Sequence, residues 1–253
     1  MYFFDCHVSY GITGNRTPFL PAKDIRKVIE DMDRAKVSKA VVYRKEQLYG
    51  LEPLTGNRIL AEDIAKYDNL YGLWSVIPSD TGEIEDPDRI LPAMKKNKII
   101  GWIAAPTCHR FSKKPFVLED YFEKACSCNV PVFINTSYGY SLEDVAEILE
   151  NFPKLTVVLT YDNIWPNDRY LRPFVRKYEN VYLDLSRVIT AGGLEDFTGR
   201  MGSSRLLYGS GYPDAYFGAG MLMILQSDIG DDDKEKIAYG NLEGIIGGIR
   251  YDQ

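Results

Sequence analysis

Short runs of apolar and β-branched residues alternate with longer stretches of helical spacing along the whole chain. The runs that predict strands are Tyr2–Val8, Lys39–Tyr43, Leu70–Ile77, Ile99–Ala105, Val130–Thr136, Leu155–Tyr161, Val181–Ser186 and Arg205–Ser210. Most are continuously apolar, as strands covered on both faces are. Between them, Pro21 to Lys36 places Ile25, Val28, Ile29, Met32 and Ala35 on one helical face. Asp86-Pro87 is a favourable N-cap and first-turn pair. Ser141-Leu142-Glu143-Asp144 is a Ser–x–x–acid cap ahead of Val145, Ile148 and Leu149. Trp165-Pro166 opens a helix reaching Tyr178. Asp231 to Ile246 predicts the last helix, its acidic first turn suiting the helix dipole.

The count is eight strands and about eight helices in strict alternation, in units of about 30 residues. Such alternation without a Pro/Ser-rich linker calls for parallel strands. Eight units in 253 residues predict an α/β fold, a single (β/α)8 TIM barrel spanning 1–253 as one domain. The first βα turn has Gly11 and Gly14 but no G-x-G-x-x-G, which argues against a dinucleotide site.

Composition agrees with a large globular core: 45 % hydrophobic, 26 % charged and 13 % aromatic. A net charge of −6 argues against nucleic acid or an anionic membrane as partner, while leaving room for a local basic pocket. No apolar run approaches the roughly 18 residues needed to span a bilayer. The start, Met1 to His7, lacks the features of a signal peptide and reads as the first strand. Four cysteines, two of them a C-x-C pair at Cys126 and Cys128, are too few for a stapled secreted chain. Reduced thiols and a cytoplasmic location are expected.

In a barrel, chemistry collects where strands end. Strand 1 carries Asp5, His7 and Ser9, which simple alternation sends to one side. Strand 4 leads into Cys108-His109-Arg110, strand 5 ends in Asn135-Thr136, strand 6 in Thr160-Tyr161-Asp162, strand 7 in Asp184-Leu185-Ser186-Arg187 and strand 8 in Gly209-Ser210-Gly211-Tyr212-Pro213. These segments resemble the amidohydrolase superfamily. Asp5-x-His7 is similar to its D-x-H-x-H start. VPVFINTSYG, FPKLTVVLTYDN, NVYLDLS, RLLYGSGYP and KIAYGNLEGIIG resemble, in order, its strands 5 to 8 and its closing helix. The likeness is to the branch of metal-dependent hydrolases and decarboxylases of the aminocarboxymuconate-semialdehyde decarboxylase type.

The departures from that family bear most on function. The resemblance implies metal ligands at two strand-1 histidines, at histidines on strands 5 and 6, and at a strand-8 aspartate. Here His7 fills the first place, but Ser9, Asn135, Tyr161 and Gly211 stand in the others, and the chain has only 2 histidines. Catalytic zinc is held by about three protein ligands and lowers the pKa of water from about 15.7 to about 7. One histidine does not hold such an ion tightly. No cofactor is therefore expected, with a weak divalent metal at His7 left open.

What remains is a polar pocket with His7, Tyr161 and Asp214 as acid–base candidates. Asp162 is an alternative to Asp214 as a displaced base. Arg44, His109, Arg110, Asn135 and Arg187 are the substrate-binding candidates. Three arginines on one rim would suit a small-molecule carboxylate or phosphate, unless each has a carboxylate neighbour. The expectation is a hydrolase or lyase acting on a small carboxylated substrate without tightly bound metal. The alternative is a non-catalytic barrel that binds a small anion or a protein partner. Self-association stays open.

Overall fold

In the computed structural model, which describes residues 1–12, 22–49, 52–160, 168–187 and 190–252, each apolar run becomes a parallel strand. They are β1 (Phe4–Tyr10), β2 (Lys39–Arg44), β3 (Leu70–Val76), β4 (Ile99–Ala104), β5 (Val132–Asn135), β6 (Val157–Thr160), β7 (Val181–Asp184) and β8 (Leu206–Leu207), side by side in sequence order. Cys6 N–H donates to Tyr208 O, Gly211 N–H to His7 O and Ser9 N–H to Tyr212 O, so β1 and the chain after β8 close the barrel. The last strand is shorter than expected. Beyond Leu207 the backbone leaves the ladder, and Gly211 turns with φ of +69°, a left-handed conformation that favours glycine.

The helices are α1 (Ile25–Ala35), α2 (Glu46–Tyr49), α3 (Pro53–Ile64), α4 (Pro87–Lys96), α5 (Pro106–His109), α6 (Glu119–Cys128), α7 (Leu142–Asn151), α8 (Asp168–Lys177), α9 (Gly193–Met201), α10 (Phe217–Gln226), α11 (Asp231–Glu235) and α12 (Asn241–Gly247). The sequence caps work as read. The Asp86 carboxylate accepts from Arg89 N–H, and Ser141 and Asp144 form a reciprocal capping box. The helix expected from Pro21 begins at Ile25, because Asp24 takes the N-cap and accepts from Arg26 and Lys27 N–H. The last helix is not continuous. A π-turn at Lys236–Gly240 separates α11 from α12, and there the Ile237 carbonyl accepts the Tyr208 N–H. The expected start at Trp165 lies outside the described residues. Among the described residues no helix is long and apolar enough to cross a membrane. Cys6, Cys108, Cys126 and Cys128 are free thiols.

Two apolar layers result. Val8, Tyr10 and Val42 pack outward with the buried faces of the helices, including Val28 and Met32 of α1. Phe4, Cys6, Val41, Tyr43, Leu73, Phe133, Val158 and Leu207 fill the barrel interior. Strand 1 changes sides within its length. Asp5 pairs with Ala40 and Val8 with Val42, so Cys6 and His7 together oppose the single residue Val41. This β-bulge overturns simple alternation: Asp5 does not share a side with His7, and Cys6 and His7 both face the interior.

Candidate active site at the strand ends

The bulge in β1 aims the His7 ring across the barrel mouth at Asp184, the last residue of β7. His7 Nδ1 donates to Asp184 Oδ2 at 2.7 Å. The same oxygen accepts Thr160 Oγ1 at 2.9 Å and Ser186 Oγ at 2.8 Å, while Oδ1 accepts Ser186 N–H at 2.8 Å. A carboxylate with no exposed side-chain surface is thus satisfied on both oxygens. The turn Leu185–Arg187 supplies two of those donors. Behind the bulge, Asp5 Oδ1 accepts the N–H groups of His7, at 2.9 Å, and of Ser210, at 3.0 Å. Asp5 Oδ2 is buried without a hydrogen-bond partner.

Asp184 can lie where it does because residue 209 is glycine. A Cβ there would stand 2.0 Å from Asp184 Oδ1 and 3.1 Å from Cys6 Sγ. Gly209→Ala is therefore expected to cost about 1–3 kcal/mol by overpacking and to displace Asp184 from His7. Chemical denaturation reads the first effect, and an NMR titration of His7 the second. An unchanged His7 titration would show that the carboxylate can yield without leaving the ring.

On its other side, His7 Nε2 lies 3.4 Å from the Tyr43 hydroxyl, which is 2.8 Å from the Tyr138 hydroxyl. These groups border a narrow cleft of about 20 Å³ whose remaining described walls include Leu73, Ile103, Phe133, Ile134, Asn135 and Thr160. Mostly apolar walls with a few convergent polar groups are the usual make-up of a small-molecule site. Burial alone would push the His7 pKa down. The Asp184 carboxylate on Nδ1, with Asp5 behind it, outweighs that and leaves it raised, and Arg187 opposes the rise. Burial would push Asp184 up, but His7 and the Ser186 donors hold it below its ordinary value. Burial pushes Tyr43 up to about 12, so its hydroxyl is a proton donor and not a phenolate at neutral pH.

Of the residues singled out by sequence, His7 and Asn135 both line this pocket. Asn135 Oδ1 also accepts Ser137 N–H at 2.8 Å, which shapes the turn that carries Tyr138. Tyr161 and Asp162 lie outside the described residues. Arg187 sits half-buried on the turn after β7. Arg44 does not join it. Ser9 pairs with Tyr43 and Tyr10 with Arg44, so Arg44 faces outward with Tyr10. There its guanidinium meets Asp63 at 2.6 Å and Glu46 at 3.1 Å and covers the Tyr10 ring. His109 does not line this pocket and places Nε2 2.9 Å from the Gln47 carbonyl. Arg110 is an exposed αL residue closing α5. Asp214 is 48 % exposed and meets Lys45 Nζ at 3.4 Å. A three-arginine rim is therefore not formed: strand alternation takes Arg44 to the other side of the sheet, where carboxylates neutralise it. Tyr43, Tyr138 and Thr160 were missed. The available signal was the strand-2 register, which puts residues 43 and 45 on the side opposite Arg44.

The described residues do not fit the divalent metal implied by the family likeness. No three His, Cys, Asp or Glu side chains among them group as ligands. His7 Nδ1 and Asp184 are committed to each other, and Ser9 Oγ donates to the Tyr212 carbonyl. Asn135 and Gly211 add no charge.

A (β/α)8 barrel with its polar groups at the strand ends defines the class, and comparison with known proteins places it further. The amidohydrolase family model matches residues 4–242, so the chain belongs to that family. Among solved structures, an uncharacterised TIM-barrel protein from Bordetella bronchiseptica superposes with a TM-score of 0.74 at 17 % identity, covering 98 % of this chain and 99 % of that one. The 5-carboxyvanillate decarboxylase of Sphingomonas paucimobilis gives 0.70 at 13 % identity, covering 97 % and 99 %. The 2,6-dihydroxybenzoate decarboxylase of Rhizobium gives 0.72 at 11 % identity, covering 97 % and 98 %. At such identities these likenesses are of fold. A search among curated proteins finds no match.

Proposed function

We propose that this protein is a lyase or hydrolase of small carboxylated compounds, in which His7 does the acid–base chemistry and no metal is tightly held. The observation that carries this reading is the 2.7 Å contact of His7 with Asp184, which leaves Nε2 facing the apolar pocket. The direction of the His7 shift favours the lyase. A raised pKa favours the protonated ring and so the part of acid over that of base. In a decarboxylation the carbon–carboxylate bond breaks, CO2 leaves and the electron pair stays on carbon. The Nε2 proton then adds to that carbon. Tyr43 and Tyr138 form a hydroxyl pair through which the ring can be reprotonated. Leu73, Ile103 and Phe133 surround the reacting carbon with apolar walls. Two of the fold relatives are named as decarboxylases of aromatic acids, which supports the same class of substrate. The partner proposed is thus a small-molecule carboxylate, with neither nucleic acid nor membrane, and the four free thiols suit the cytoplasm.

The test is CO2 release from a panel of aliphatic and aromatic carboxylic acids, using chelator-treated protein whose metal content is measured. Turnover should survive chelation and fall roughly 10²- to 10⁴-fold in His7→Asn, the range lost with a general acid. Turnover that vanishes on chelation and returns with zinc would overturn the metal-free reading. Binding without turnover across the panel would leave the non-catalytic barrel.

A further inference from the structure

Lys45 directly follows β2, and its side chain is only 11 % exposed. Three consecutive side chains take alternate directions here. Tyr43 reaches His7, Arg44 turns outward to Asp63 and Glu46, and Lys45 returns to the side of Tyr43. The Lys45 ammonium meets Asp214 Oδ1 at 3.4 Å, its one hydrogen bond among the described residues. Lys45 N–H donates to Tyr10 O at the end of β1, and Asp214 N–H to Gly211 O, whose own N–H meets His7 O, so the Lys45–Asp214 pair lies at the barrel end that holds His7. An ammonium has three N–H donors, and a nearly buried one needs close, charged partners. A single long contact to a half-exposed carboxylate serves it poorly. A small carboxylate entering the pocket meets mostly apolar walls, and Arg44 is occupied on the far side of the sheet.

We propose that Lys45 is the residue that binds the carboxylate of an incoming small organic acid, exchanging its hold on Asp214 for that ligand. The inference rests on the reading above only in taking the ligand to be a small carboxylate. Asp214 then becomes a competitor for the ammonium and not the catalytic base. This fixes opposite signs for two substitutions. Lys45→Met removes the cation that receives the ligand. Asp214→Asn removes the competing anion from an exposed position, so the fold is at little risk.

The test is calorimetric titration of the wild type and both variants with benzoate, phthalate, malonate and glutarate, and with inorganic phosphate as a second kind of anion. At least one acid should bind the wild type. Lys45→Met should weaken it about tenfold or more, as loss of a charged hydrogen bond does. Asp214→Asn should tighten it about two- to fivefold, the worth of a partly exposed ion pair. The proposal is overturned if no acid binds the wild type, if Lys45→Met binds as the wild type does, or if Asp214→Asn weakens binding. Phosphate that binds as tightly and responds in the same way would overturn the assignment to carboxylates. The lyase reading fails separately: this binding pattern without CO2 release removes the lyase and leaves Lys45 in place. CO2 release without the pattern removes Lys45 alone.

Discussion

Asp184→Asn is expected to lower the stability of the protein by about 3–5 kcal/mol, the cost of removing one partner of a buried ion pair. For a chain of this size that is a fall in melting temperature of roughly 6–20 °C. The argument is local. Asp184 accepts from His7, Thr160 and both donors of Ser186, with no side-chain surface exposed to water. Asparagine leaves one of those donors facing an N–H group and leaves the His7 ring without its counter-ion. The loss carries a pH signature. His7 is raised above its ordinary 6.5, so its share of the stability is full below that value and is lost as pH rises through the folded pKa. Asp184 is lowered from its ordinary 3.8, so its share is full above that value and is lost as pH falls through the folded pKa. The gap between wild type and variant should therefore be widest between about pH 4 and 6.5 and should narrow at higher pH. Denaturant unfolding at pH 5 and pH 9 measures it. A gap of equal size at both would mean that His7 is neutral throughout and that the pair is an ordinary hydrogen bond.

The barrel was legible because its signal is repeated. Eight apolar runs separated by capped helices leave few other arrangements, and Asp86 and Ser141 cap helices where the chain says they should. The family was legible for a related reason: six weak motifs fell in order on the right strands. The site was only half legible, because it depends on single-residue shifts in register. One extra residue in β1 turns Asp5 away from His7 and brings Cys6 and His7 to the same side. Nothing in Phe4-Asp5-Cys6-His7-Val8 announces that bulge, since its hydrogen bonds are completed by Asp5 itself and by residues some 200 positions away. At the end of β2 the error was of one position. Arg44 has the forked geometry that suits a carboxylate, but alternation sends it to Asp63 and keeps Tyr43 beside His7. The role of Asp184 was masked by the family pattern, which directs attention to the aspartate missing at Gly211. A carboxylate still meets His7; it comes from β7, across the barrel, through a gap that Gly209 leaves open.

Asp5 is expected to make the protein less stable as pH rises, which is unusual for a carboxyl group, and Asp5→Asn should abolish that trend. Asp5 has no exposed surface, and its Oδ2 has no hydrogen-bond partner. Burial pushes its pKa from 3.8 up to about 7, against the pull of the Ser210 and His7 donors. Between those two values the folded protein keeps a proton that the unfolded chain has released. The unfolded state then binds fewer protons, so stability falls as pH rises across that window and levels off above it. A gap of about 3 pKa units corresponds to roughly 4 kcal/mol between pH 4 and pH 8. Asparagine keeps an Oδ1 able to accept the N–H groups of His7 and Ser210, and carries no charge at any pH. The His7–Asp184 pair is common to both proteins and differs between them only through the lost Asp5 charge, a lesser cause of the His7 rise than Asp184. Asp5→Asn should therefore gain on the wild type steadily from pH 4 to 8 in urea unfolding, by an amount approaching 4 kcal/mol at most. A constant difference across that range would show that Asp5 is already ionised in the fold, with a partner on Oδ2 supplied by water or by the residues facing it.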